Sequence, residues 1–255
     1  MTRGRYRIVA FGQQLGIGVA GSFWATISAV AKSNGSNAPY CIPNEWICAE
    51  IGRFLCLPVP PAGIIHAPQA NPPNWFASLD FNLTGNTLPP VDPTRCAGEL
   101  PELSTGLLPF DILVANCDRH RQNFSVDFLD SPPAMSVFDH SHALFGYVEG
   151  QGTQRLIDLR DRLGASGGSR TQGNRHCLLD ALITDQHFGS WLDRISALPN
   201  FLVQQLCHDA VGLGITSDEA DVAVDFLRYR RDNLRGIIDR NRREFRGITQ
   251  WSLFL

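Results

Sequence analysis

The stretch that most limits the fold runs from Leu107 to His142. It opens on an apolar run, Leu107 to Ala115 (LLPFDILVA), whose Pro109 suits a first helical turn. The run delivers the chain to Asn116-Cys117-Asp118-Arg119-His120-Arg121-Gln122-Asn123. Phe124, Val126 and Phe128 then alternate with Ser125 and Asp127, the period of a strand. Asp130-Ser131-Pro132-Pro133 is a turn, Met135 to Phe138 the returning strand, and Asp139-His140-Ser141-His142 follows. A four-residue turn predicts Leu129 opposite Ala134 and Phe124 opposite Asp139. Asn123 and Asp139 then stand at the two feet of one hairpin, where opposed residues lie roughly 5 Å apart.

The residue types at those feet point to a chemistry. Two oxygen-bearing side chains at that distance suit one hard cation such as Mg²⁺. Asp118 precedes Asn123 by five residues, the spacing at which protein-kinase catalytic loops place an acid–base aspartate and a metal-holding asparagine. An aspartate after a short hairpin is the other half of that template. Phosphoryl transfer needs in-line positioning and cancellation of phosphate charge rather than a strong protein nucleophile. Asp118 would accept or orient the proton of an incoming hydroxyl. Asn123 and Asp139 would hold Mg²⁺ against the phosphates of ATP. Arg119 and His120 would brace the loop or touch phosphate. His140 and His142 read as hydrogen-bonding neighbours rather than as transition-metal ligands.

The N-terminal third supplies the other parts such a site needs. Among 22 basic residues only one is lysine, Lys32. From Ile8 to Ala31 there is no charge, so the run competes as a secretory leader after Arg3, Arg5 and Arg7. Its glycines and glutamines argue against a leader or a membrane span, and strands around a glycine turn fit better. Tyr6 to Phe11 and Phe23 to Ala31 are the strands. Gly18, Gly21 and Ser22 in the turn are candidate phosphate contacts, because glycine lets backbone N–H groups come close. A helix follows, with Asn44 as cap and Ile47, Ile51, Phe54 and Leu55 on one face. Its Glu45, rather than Glu50, is the expected partner of Lys32. Gly63 to Ala67 is a strand. Residues 68–104 read as proline-rich loops, with Trp75 to Phe81 as the strand that crosses to a second lobe.

These pieces, in this order, resemble the HipA-like kinase family in its small single-domain members. The resemblance rests on AKSNG around Lys32, NEWICAEIGRFLCLPVPP from Asn44, FDILVANCDRHRQNFSV from Phe110 and FDHSHALFG from Phe138. The D-R-H-x-x-N core is also distantly similar to that of phosphatidylinositol 3/4-kinases. The resemblance implies an α+β, bilobal, protein-kinase-like fold, with a small β-rich N-lobe carrying one helix and a larger, mainly helical C-lobe. Residues 1–80 would form the N-lobe and 81–255 the C-lobe of one kinase-like domain. It implies ATP and Mg²⁺, and a protein serine or threonine as acceptor. Asp118 would be the catalytic aspartate, Asn123 and Asp139 the metal ligands, and Lys32 the phosphate contact. Asp139-His140-Ser141 stands where other kinases carry D-F-G, and the segment 12–22 is short for a nucleotide loop. Lys32 lies so near the start that the accessory domain of some toxin members has no room, so toxin activity is not implied.

The remainder is less specific. Glu149 to Arg175 is rich in Gly, Ser and Arg, where a substrate-binding segment would lie, and Ser166, Ser169 and Thr171 are candidate autophosphorylation sites. Leu178 to Ile183, Trp191 to Leu198 and Phe201 to Val211 read as short helices. Thr216-Ser217-Asp218-Glu219 is a capping box opening a helix that runs on to Phe245. Residues 226–247 hold eight arginines against three acids, a weak hint of an acidic or RNA partner. A net charge of −3 gives no case for a nucleic-acid coat or a membrane surface. Seven cysteines without a C-x-x-C favour reduced thiols and a cytoplasmic location over disulfides or zinc. The rivals to a protein kinase are a lipid or small-molecule kinase and a nucleotide-binding pseudokinase.

Overall fold

The computed structural model describes residues 6–16, 21–82, 89–165 and 175–251. β1 (Ile8–Gln14) and β2 (Phe23–Ile27) form an antiparallel two-stranded ribbon. Their aromatic and β-branched residues favour strands, yet all the residues of both are exposed. Ser28 then breaks the run. β3 (Ala29–Lys32) pairs instead with β5 (Asn74–Leu79), whose other edge takes β4 (Ala62–His66). The strand expected to cross to a second lobe is therefore the centre of this sheet. Phe76 explains why, since it buries against Ile42 and Ala49 of the helix between β3 and β4.

That helix, α1 (Cys41–Phe54), begins ahead of its expected cap. Ile47, Ile51 and Leu55 form its buried stripe, whereas Phe54 is exposed. Asn44 is not the cap but lies fully buried inside the helix. Its amide donates to Ser141 O (2.8 Å) and Gly146 O (3.2 Å), and its Oδ1 accepts from Phe145 N (3.1 Å).

One helix lies wholly in ground expected to be loop, and a second begins there, ahead of the expected Leu107 start. α2 (Pro93–Glu99) is capped by Asp92, which accepts from the N–H groups of Thr94 and Arg95. α3 (Pro101–Leu113) follows at once. Pro93 and Pro101 each stand at a helix start, where the missing N–H costs nothing. Pro109 lies inside α3 rather than in its first turn. There it removes an intrahelical bond, and burial of its neighbours holds the helix together. Gly106 permits the closest packing in this layer, because a Cβ there would lie 2.1 Å from the Trp191 ring.

β6 (Phe124–Asp127) and β7 (Ala134–Val137) make the central hairpin. Its register differs from the expected one: Phe124 faces Val137, not Asp139, and Asp127 faces Ala134. The turn starts two residues early because Asp127 Oδ1 accepts from Leu129 N at 3.0 Å, an Asx turn.

α4 (Gly152–Leu159), α5 (Phe188–Ser196), α6 (Asn200–Asp209) and α7 (Ser217–Arg240) complete the larger part. The Thr216–Glu219 capping box opens α7. The helix stops at Arg240, short of Phe245, which packs on Phe188 and Trp251. Residues 178–181 form turns rather than a helix. Arginines of α7 are spent internally: Arg228, Arg231 and Arg235 bond residues of α5, α6 and the link between them. Arg230 is fully buried among main-chain carbonyls, with Leu159, Arg162 (2.8 Å) and Ile112 (2.5 Å) accepting. The architecture is α+β, with a small β-rich part carrying one helix against a larger helical part. Among the described residues, no helix is long and apolar enough to cross a membrane.

Candidate active site

Lys32 ends β3 and points at α1. Its Nζ lies 2.5 Å from Glu45 Oε1 and 2.8 Å from Asp139 Oδ1, so three expected site residues meet around one ammonium. Glu50 instead pairs with Arg53. Burial acts to lower the Lys32 ammonium, but Glu45 and Asp139 outweigh it and hold it above its usual value. Burial pushes the Glu45 carboxyl up, and the buried His140 beside it together with Lys32 reverses the direction. Asp139 drops to about 2: burial would raise it, and the charge and hydrogen bond of Lys32, aided by Ser141, prevail.

Asp139 sits just past β7 with φ at 62°. A left-handed backbone costs a non-glycine residue roughly 1–2 kcal/mol. Lys32 and Ser141 Oγ (2.9 Å) hold the resulting carboxylate in place.

The catalytic-loop candidates form a second group. Asn123 Nδ2 donates to Asp118 O at 2.9 Å and stands 3.4 Å from Asp118 Oδ2. With the shifted hairpin register, strand pairing alone does not join Asn123 to Asp139. Arg119 does so. Its Nη1 donates both to Asn123 O and to Phe138 O (2.6 Å), so one guanidinium ties the loop to the residue before Asp139. Arg119 is therefore a brace, fully buried and out of reach of phosphate.

What holds Arg119 went unseen in the sequence. Asp111 receives Arg119 Nε at 2.8 Å and Nη2 at 3.1 Å, Asn116 Nδ2 at 2.9 Å, and lies 2.9 Å from His176 Nε2. Burial would raise the Asp111 carboxyl, but Arg119 first and then His176 hold it far below the usual range. The available signal was a lone carboxylate in the apolar run LLPFDILVA, which cannot be buried without a partner.

A cleft of about 330 Å³ opens beside the Lys32 cluster. Lys32, Glu45, Asp139 and His140 line its charged end, and Val30, Val59, Phe76, Leu79 and Val137 its apolar walls. Phe81 and Phe138 also line it, with ring centroids 5.3 Å apart. Asp118 and Asn123 lie outside this lining. So do Gly21 and Ser22, and Ser22 O accepts from Leu15 N across the ribbon's tip. Gly18 falls outside the described residues, as do Ser166, Ser169 and Thr171. Among the described residues no group of three or more His, Cys, Asp or Glu side chains is placed to hold a metal.

No family model and no curated protein matches the chain. Solved structures do. The proinflammatory kinase CtkA of Helicobacter pylori superposes with a TM-score of 0.53 over 94% of this chain and 97% of its own, at 14% identity. A structure of the HipA, HipB and operator DNA complex of the Shewanella oneidensis MR-1 toxin–antitoxin system matches at a TM-score of 0.43 and 12% identity. That match covers 91% of this chain and 64% of the other. The likeness to CtkA shows a shared bilobal, kinase-like fold and stands at that level alone.

Proposed function

We propose that the chain is an ATP- and Mg²⁺-dependent kinase that transfers the γ-phosphate to a hydroxyl, with a protein serine or threonine as acceptor. One observation carries the reading: Lys32 is clamped between Glu45 and Asp139 at the charged end of an apolar cleft. The donors fit the groups implied. Asn123 and Asp139 offer amide and carboxylate oxygens, a hard set suited to Mg²⁺. The apolar walls and the size of the cleft suit a nucleobase. When bound, Mg²⁺ and ATP supply the transferable phosphoryl group and neutralise its charge.

The protein's own residues then have distinct tasks. Glu45 holds the Lys32 ammonium in the cleft, where it meets phosphate. Asn123 and Asp139 present the metal-binding oxygens, and Arg119 keeps their segments together. Asp118 orients the acceptor hydroxyl and takes its proton. Gly18, Gly21 and Ser22 are the turn proposed to cover the phosphates. The lobe boundary falls after residue 80, and a cytoplasmic location belongs to the same reading. A nucleotide-binding protein without transfer is the second reading, favoured by the absence of Gly21 and Ser22 from the cleft lining.

The test incubates the pure protein with labelled ATP, Mg²⁺ and a cell lysate, beside Asp118→Asn and Lys32→Met. We expect phosphoserine or phosphothreonine from the wild type and a loss of about 10²-fold or more in both variants. Label extracted into organic solvent would identify a lipid acceptor. Equal labelling by all three proteins would sink the kinase assignment.

A further inference from the structure

Among the described residues, Asn123, His120 and His142 stand near Asp118 Oδ2. Asn123 Nδ2 is 3.4 Å away but donates at 2.9 Å to the Asp118 carbonyl. His120 Nε2 is 3.9 Å away, too far for a hydrogen bond. His142 Nδ1 is nearest, at 3.3 Å. Its ring is not loose. Tyr147 lies against it with centroids 5.2 Å apart. Its carbonyl accepts from Arg155 Nη2 at 3.4 Å, and the same nitrogen donates to Ala115 O at 2.8 Å, just ahead of the catalytic loop. Arg155 Nε also donates to Leu144 O at 3.0 Å. One arginine thus references the backbone at His142 to the segment that launches Asp118.

We propose that His142 is a positioning residue for Asp118, fixing the orientation of its carboxylate toward the acceptor hydroxyl. The inference rests on the reading of Asp118 as the group that receives the acceptor proton. An aspartate carboxylate turns broadly about its last side-chain bond, and Asn123 Nδ2 makes its shorter bond to the Asp118 carbonyl, reaching the carboxylate only at 3.4 Å. A ring nitrogen held from behind selects one orientation. Misplacement of a reacting group by about 1 Å costs up to about 10²-fold in rate, so the strut has a kinetic consequence.

Two variants separate the nitrogen from the ring. His142→Phe keeps an aromatic ring against Tyr147 and removes Nδ1. His142→Asn keeps an N–H near the Nδ1 position and removes the ring. The first readout is steady-state hydrolysis of MgATP, with water as the acceptor. H142F should lower kcat about tenfold or more and leave KM for ATP within about twofold, and H142N should recover most of the loss. The second readout needs no activity: in a crystal structure of nucleotide-free H142F, the Asp118 carboxylate should leave its present orientation. Added to D118N, H142F should cause no further loss, because both act through one group.

Wild-type kcat in H142F, equal loss in H142F and H142N, or an unmoved Asp118 carboxylate would each overturn the proposal. An inactive D118N beside an unaffected H142F removes His142 alone. A fully active D118N removes the site reading and this inference with it.

Discussion

Helix α1 and the β1–β2 ribbon are near neighbours in sequence and opposites in packing. Most of α1 is buried, and Asn44 alone makes three hydrogen bonds to the segment after Asp139. Tyr40, at its start, donates to Glu219 Oε1 on α7 at 2.9 Å and accepts from Gly150 N at 3.0 Å. The ribbon leaves Phe11 70% and Trp24 66% exposed. Charge explains the difference. Glu45 is buried, and a buried carboxylate is tolerable only where partners are fixed within ångströms. Lys32 and His140 are such partners, and α1 must be rigid to keep them. The ribbon carries no charged residue between Ile8 and Ile27, so nothing in it demands that precision.

The comparison can be broken most forcefully at Arg119. Arg119→Leu leaves Asp111 buried beside His176 and frees the loop from Phe138. We expect a loss of about 3–5 kcal/mol in chemical denaturation. A midpoint equal to the wild type would show that the buried network holds nothing. Asn44→Ala strands three main-chain groups and should cost about 1–3 kcal/mol, with α1 exchanging amide hydrogens faster than α3. Unchanged protection of α1 would contradict its role as a fixed support.

Acid should distinguish the regions next. Glu45, Asp111 and Asp139 all have folded-state values below their unfolded ones. Their contribution is complete above the unfolded values near roughly 4. It is lost as pH falls through the folded values, of which Asp139 stands at about 2. Denaturation midpoints should therefore fall steadily from about pH 4 downward, and a flat profile would contradict the directions assigned. The smallest effect belongs to the ribbon, where Trp24→Ser should move stability by no more than about 0.5 kcal/mol. A larger change would mean that the exposed face is packed in solution.

How much of this could be read from the chain depends on range. Lys32 and Glu45 are 13 residues apart, and their meeting follows from a strand leading into a helix. The Thr216 capping box is local and equally legible. The hairpin register was missed because Asp127, counted as a strand residue, also starts the turn. Asn44 has the right type and position for a cap, but tertiary bonds claimed it. The Asp111–Arg119–His176 network spans 65 residues, and no pattern along the chain announces it. The single lysine is the instructive case. A chain that uses arginine at its other basic positions keeps a compact ammonium where two carboxylates converge.

The central claim is that Asp139 and Asn123 bind a metal that brings nucleotide phosphate to Lys32. Calorimetric titration with a non-hydrolysable ATP analogue, with and without Mg²⁺, tests it most directly in the wild type and Asp139→Asn. The account predicts at least about tenfold tighter binding with Mg²⁺ in the wild type and no such gain in the variant. Equal affinity with and without Mg²⁺ in the wild type, or an undiminished gain in Asp139→Asn, would contradict it.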